Sequence, residues 1–265
     1  MLNSIAKKIL GALGGERAVE AYQAYRGQSR EIVKGKLTYN EDGSATTHNC
    51  QFLDDPVFIK AYEHAEATRS WVNSTGEQRG VRKRVDTAIS LAIYASHLPG
   101  DFVECGTNRG GLARAILHYV DLAKLGKKFY LLDTFKGFVQ SQITPEERAR
   151  GIGREEAYQE CYDDVAETFK AFPNVKLVRG AVPDTLVHVP SERIAFLMLD
   201  MNCTAPEIAA AEYFWDRMSP GAPMLLDDYG FKGHEEQMRA FDEFAAKRGL
   251  RVLSLLSGPG IILKP

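Results

Sequence analysis

The sequence has little of what marks several function classes. Four cysteines, Cys50, Cys105, Cys161 and Cys203, occur in 265 residues, and none form a C-x-x-C pair. That spacing argues against zinc-ribbon and thioredoxin-like chemistry. The low count argues against a disulfide-stapled scaffold and for a reducing, cytoplasmic compartment. No apolar run approaches the roughly 20 residues of a membrane-spanning helix. Charge of one sign is also missing: 33 basic and 35 acidic residues leave a formal net charge of −2. No global field attracts nucleic acid, so no nucleic-acid partner is expected. Repeats and low-complexity tracts are absent.

What is present begins with an amphipathic pattern. Leu2, Ile5, Ile9 and Leu13 recur at helical spacing, with Lys7 and Lys8 between them. Those lysines interrupt what would be a signal-peptide core, so secretion is not expected. Residues 1–36 carry seven Lys/Arg and three Glu. Such a helix packs on a core or on another subunit, or lies on a membrane surface. Residues 1–80 read as a helical N-terminal extension or cap, with 38–49 an exposed polar loop.

From residue 81 the pattern changes. Residues 81–97 carry apolar positions at three- and four-residue steps, which predicts a helix, and Leu98-Pro99-Gly100-Asp101 ends it. Short apolar runs at 102–104, 129–132, 175–178, 194–199 and 223–226 then alternate with helical stretches at 111–125, 155–171, 206–218 and 234–248. This alternation predicts an α/β fold, a mostly parallel sheet with helices on both faces. Residues 251–256 and 261–264 flank Ser257-Gly258-Pro259-Gly260 and read as an antiparallel hairpin. A parallel sheet closed by such a hairpin resembles the seven-stranded, Rossmann-like class I methyltransferase layout.

The first run leads through Glu104-Cys105-Gly106-Thr107-Asn108-Arg109-Gly110-Gly111 into a helix. Strand, glycine turn and helix N-terminus together form a nucleotide-site pattern. Dinucleotide binders place a second glycine where Asn108 stands, against the pyrophosphate. Glu104 would repel a pyrophosphate. An acid two residues before the first glycine is instead similar to the loop that holds S-adenosylmethionine. The second run ends at Asp133, which can accept hydrogen bonds from ribose hydroxyls or simply cap a turn.

The fourth run ends at Asp200 and the fifth at Asp227-Asp228. Ligands of open parallel sheets bind beyond the carboxyl ends of the strands. Three carboxylates gathered there repel unless a cation neutralises them, and all-oxygen donors suit Mg²⁺. The alternative is that these acids merely cap and terminate their elements. A dication would lower the pKa of an acceptor hydroxyl, with Asp200 as both metal ligand and base. His234 is a candidate second base or a solvated helix-start residue. Residues 134–160 read as a cofactor lid or a surface excursion.

These motifs resemble the TylF-type macrocin O-methyltransferase family over about residues 81–248. The resemblance rests on Pro-Gly-Asp-Phe-Val-Glu-Cys-Gly (99–106), Arg109-Gly110-Gly111, Leu-Asp-Thr-Phe-Lys-Gly-Phe (132–138), Gly180 with Asp184-Thr185-Leu186, and Leu-Asp-Asp-Tyr-Gly (226–230). It implies that 81–265 is an S-adenosylmethionine-dependent methyltransferase domain. The expected cofactor residues are Glu104, Gly106, Thr107, Gly110, Asp133 and Phe135. Asp200, Asp227 and Asp228 are the expected magnesium ligands. The acceptor is a small-molecule hydroxyl, expected on a sugar, and a homo-oligomer is expected. One departure stands out: Asn202 replaces the second acid of the family's Asp-x-Asp-Leu-Tyr, which puts the family substrate in doubt. A phenol or catechol methyltransferase, an NAD-dependent oxidoreductase and a non-catalytic nucleotide-binding scaffold remain alternatives. Asn108 and the Asp pair argue against the oxidoreductase.

Overall fold

A computed structural model of the chain describes residues 36–72, 76–154 and 158–265. Packing groups 41–44 with 50–265 as one compact unit. The amphipathic pattern at Leu2–Leu13 lies outside the described residues.

Each apolar run becomes a strand. After a short hairpin, β1 (Tyr39–Glu41) and β2 (Ser44–Thr46), come β3 (Asp101–Cys105), β4 (Phe129–Asp133), β5 (Val175–Arg179), β6 (Ile194–Leu199) and β7 (Pro223–Leu226). All six β6 residues are buried, as a central strand covered on both faces requires. The chain ends with β8 (Leu253–Ser254) and β9 (Gly260–Leu263). The seven-stranded sheet has the order β5-β4-β3-β6-β7-β9-β8. Pairing is parallel from β5 to β7 and antiparallel at β9 and β8. Cys105 pairs with Leu132 on one side and Leu199 on the other, so three strand ends stand level. The strand order reverses between β3 and β6, where such sheets hold ligands.

One face of the sheet is covered by α1 (Pro56–Ala67), α2 (Arg82–Ser96) and α3 (Gly111–Tyr119), which share a core with Phe102, Phe129 and Phe196. Asp55 caps α1 by accepting from Val57 N–H at 2.8 Å, with Pro56 in the first turn. Helix α2 buries Val85, Ala88, Ile89, Ala92 and Ala95 on one stripe. The other face is covered by α6 (Thr204–Trp215) and α7 (Glu235–Ala246) through Phe214, Trp215, Phe241 and Phe244. Between β4 and β5 lie the short helices α4 (Pro145–Ala149) and α5 (Tyr162–Phe169).

Four expectations are corrected in detail. The segment 38–49, expected as an exposed loop, carries the β1–β2 hairpin. Its Asp42-Gly43 tip has φ of 49° and 75°, the left-handed pair that tight hairpins need. The helix expected over 111–125 stops at Tyr119, where Val120 is extended. The helix expected from 155 begins at Tyr162, and the final hairpin shortens to two residues in β8.

Phe102 meets Phe129 and Phe196 edge-on at 5.8 and 5.5 Å, at the centre of the α1–α3 face. Phe196→Ala is expected to destabilise the fold by about 3–5 kcal/mol. Urea denaturation checks this. A loss under about 1 kcal/mol would show that this contact does not anchor the core.

Candidate functional site

A cleft of about 1740 Å³ opens beyond the carboxyl ends of β3, β4, β6 and β7. Gly106, just past β3, has φ of 92° and donates its N–H to Leu132 O at 2.8 Å. A Cβ there would lie 2.0 Å from the Asp200 carbonyl oxygen, so only glycine lets this loop press against the β6 tip. Gly110 has φ of 80° and opens α3. A Cβ at Gly110 would meet the Phe169 ring at 2.5 Å.

Glu104 is buried on β3, and among the described residues its Oε2 has no close hydrogen-bond partner. Burial pushes its carboxyl up to about 8, a rise that the Thr107 hydroxyl tempers. Thr107 is buried beside it. Asp133 closes β4 and accepts from Asn108 N–H at 2.6 Å and Phe135 N–H at 2.7 Å. It therefore ties the glycine loop to the next strand while burial raises its own carboxyl. Phe135 has φ of 57° and is almost fully buried, its ring edge-on to Tyr162 at 5.3 Å. It lines the cleft as wall.

The structure brings the three expected acids together. One carboxylate oxygen from each of Asp200, Asp227 and Asp228 lies within 4.8 Å of the others. Asp227 and Asp228 are buried, whereas Asp200 is partly open. Among the described residues, Asp227 Oδ1 and Asp228 Oδ2 have no hydrogen-bond partner. Burial, then Asp227 and Asp228, hold the Asp200 carboxyl well above the ordinary range. Burial and then Asp227 push Asp228 up to about 6. Unpartnered oxygens in an all-oxygen donor set fit a hard dication. Asn202, at the departure from the family pattern, donates Nδ2–H to Asp200 Oδ1 at 3.0 Å. His234 precedes α7 and lines the cleft, with Nδ1 3.0 Å from Gln237 Oε1.

Sequence reasoning missed several residues here. Arg84 Nη1 donates to Asp227 Oδ2 at 2.5 Å. Arg84 falls three after Val81 and four before Ala88, on the buried stripe of α2, and a charge at a stripe position was the available signal. Glu207 on α6 is fully buried, accepts from Met201 N–H at 2.7 Å and is pushed up to about 8 by burial, then by Asp228. Ser70 Oγ accepts from Gly111 N–H at 2.9 Å, which places Ser70 and Trp71 beside the cofactor loop. Residues 140–154 are anchored at the cleft edge. Glu147 completes a capping box with Thr144 and accepts from Thr204 N–H and Oγ1–H at 2.7 Å each.

Sheet order, glycine loop and acidic strand tips define a class I methyltransferase by fold. Solved structures with this fold include the O-methyltransferase NovP, at 18% identity and TM-score 0.64 over 78% of this chain and 97% of that one. The calicheamicin methyltransferase CalS11 aligns at 15% identity and TM-score 0.54 over 88% of this chain and 99% of its own. The TylF macrocin-O-methyltransferase family model matches residues 67–253, and the chain belongs to that family. Among curated proteins it is similar to mycinamicin III 3''-O-methyltransferase of Micromonospora griseorubida, 27% identical over 58% of this chain and 63% of that protein. It is also similar to 8-demethyl-8-(2,3-dimethoxy-alpha-L-rhamnosyl)-tetracenomycin-C 4'-O-methyltransferase of Streptomyces olivaceus, 27% identical over 64% of this chain and 67% of that protein. The match thus spans less than two thirds of the mycinamicin enzyme's length. Among the described residues no helix is long and apolar enough to cross a membrane.

Glu104 and Glu207 are each held at about 8, against about 4.3 unfolded. Between those values the folded chain binds more protons than the unfolded one. Stability contributed by these groups is full below about pH 4 and is lost as pH rises towards 8. In chelator, the urea midpoint is expected to fall between about pH 5.5 and about pH 8.5, and Glu207→Gln should flatten the fall. A midpoint that rises over this range would contradict the buried acids.

Proposed function

We propose that this chain moves a methyl group from S-adenosylmethionine to a hydroxyl of a sugar or sugar-containing small molecule, with a dication, Mg²⁺, held by Asp200, Asp227 and Asp228. The observation that carries the reading is the three-carboxylate cluster beside the Gly106 loop. A relative whose name carries a rhamnosyl group and a 4'-O position, a second named for a 3''-O position, and family membership over 67–253 support the acceptor class.

Glu104, with Thr107 buried beside it, is placed at the cleft to orient the cofactor's methionine portion. Asp133 spends one lone pair on each of its turn N–H groups and keeps others for ribose hydroxyls. Gly106 and Gly110 let the backbone approach the cofactor, with Phe135 as wall. A bound dication would supply Lewis acidity to the acceptor hydroxyl and neutralise the carboxylates. Asp200 is the proton acceptor, because it is the acid of the three that opens to the cleft. Asn202 fixes its orientation by donating to Oδ1. His234, which lines the cleft with Nδ1 3.0 Å from Gln237 Oε1, is the candidate second proton acceptor. Arg69, Ser70, Trp71 and Arg79 line the cleft from within 1–80, consistent with a cap over the 81–265 catalytic domain. Four free cysteines accord with residence in the cytoplasm.

Asp200→Asn is expected to lower methyl transfer by about 10³-fold or more, while S-adenosylhomocysteine affinity stays within about threefold. Calorimetric titration and a sugar-acceptor assay check the two arms. Transfer at the wild-type rate would overturn the assignment of Asp200.

A further inference from the structure

Arg84 is a charged side chain in a place built for an apolar one. It leaves the first turn of α2, and its side chain is 11% exposed. Its guanidinium spans two acids. Nη1 reaches Asp227 Oδ2 at 2.5 Å, while Nε and Nη2 both reach Asp42 Oδ2, at 3.1 and 2.8 Å. Its plane lies over the Phe231 ring at 4.6 Å from the centroid. Asp42 is itself fixed, because the hairpin tip is held on both sides of it. Glu41 pairs with Arg82, and Ser44 Oγ donates to Leu256 O at 3.0 Å. The arginine therefore has a rigid anchor at one end and Asp227 at the other.

The consequence for Asp227 is geometric. One of its oxygens is occupied by Arg84, and the other, Oδ1, is buried with no hydrogen-bond partner among the described residues. A planar fork that donates twice to Asp42 Oδ2 sets the direction from which it grips Asp227. A lysine, a point charge on a flexible stem, would not. Charge matters as well. A lone guanidinium against the cluster would repel a dication; Asp42, paired with the same guanidinium, offsets part of that charge.

We propose that Arg84 is a positioning residue, anchored by Asp42, that turns the Asp227 carboxylate so that Oδ1 faces the dication site. This rests on the dication reading of Asp200, Asp227 and Asp228.

Mn²⁺ binding to the full-length protein, followed by the loss of the free-ion EPR signal, tests it without substrate. Wild type, Arg84→Lys, Asp42→Asn and the double variant Asp42→Asn/Arg84→Gln are compared, with Asp200→Asn as the control for the cluster. S-adenosylhomocysteine titration and thermal melting confirm that each variant is folded. Wild type is expected to bind one Mn²⁺, lost in Asp200→Asn. Arg84→Lys should weaken Mn²⁺ about 10-fold or more, as changing a residue that orients a metal ligand does. The double variant, which restores charge balance but not the fork, should stay equally weak. Mn²⁺ binding as in wild type, or tighter, in folded Arg84→Lys would overturn the proposal while leaving the dication reading intact. Recovery in the double variant would also overturn it, since charge alone would then account for Arg84. No Mn²⁺ binding by wild type, or undiminished binding by Asp200→Asn, would remove both.

Discussion

Three carboxylates whose oxygens lie within 4.8 Å of one another repel each other by about 3.5 kcal/mol per charged pair at an effective dielectric of about 20. The fold does not avoid this repulsion; it constructs it. Level strand ends in the β3–β6–β7 register bring the Asp200 and Asp227-Asp228 tips side by side. Burial of Asp227 and Asp228 then removes the water that would screen them. Relief has to come from protons, from a cation, or from the arginine that grips one of the three, and each leaves its mark here. Raised carboxyls take up protons, unpartnered oxygens await a ligand, and Arg84 occupies one side of Asp227.

The same constraint ties cofactor loop to acid cluster. Gly106 lies so near the Asp200 carbonyl that no side chain fits between them. Asp133 draws the loop towards β4 from the other side through Asn108 N–H. A cofactor held by this loop therefore sits at a fixed height relative to the Asp200 tip. In-line methyl transfer demands that kind of positional control, and it comes from backbone contact rather than from long side chains.

Much of this was legible in sequence. The parallel strands announced themselves as short apolar runs, β5 alone broken by Lys176, and Asp133, Asp200 and Asp227 were visible because they end such runs. Family motifs at 99–111, 132–138 and 226–230 pointed to the same loops that the cleft now gathers. What was not legible had specific causes. The β1–β2 hairpin has strands of three residues each, too short for a period-two pattern, and only its Asp-Gly tip signalled a turn. Helix α3 stops early because the amphipathic pattern of 111–125 runs on into a turn that the period alone does not mark. Arg84 and Asp42 stand 42 positions apart, and Asp227 a further 143 beyond Arg84, so their meeting depends on tertiary packing. Glu207 reads in sequence as a first-turn helix acid, and only burial under the β6 tip sets it apart.

Crystals soaked in Mn²⁺ and measured by anomalous diffraction address the central claim most directly. A single strong peak is expected at the tips of β6 and β7, within roughly 2.0–2.3 Å of oxygens from Asp200, Asp227 and Asp228, with Arg84 still bound to the outer oxygen of Asp227. A map without a peak there, while sites elsewhere on the same crystal fill, would contradict it and would leave the carboxylates to be neutralised by protons and Arg84 alone.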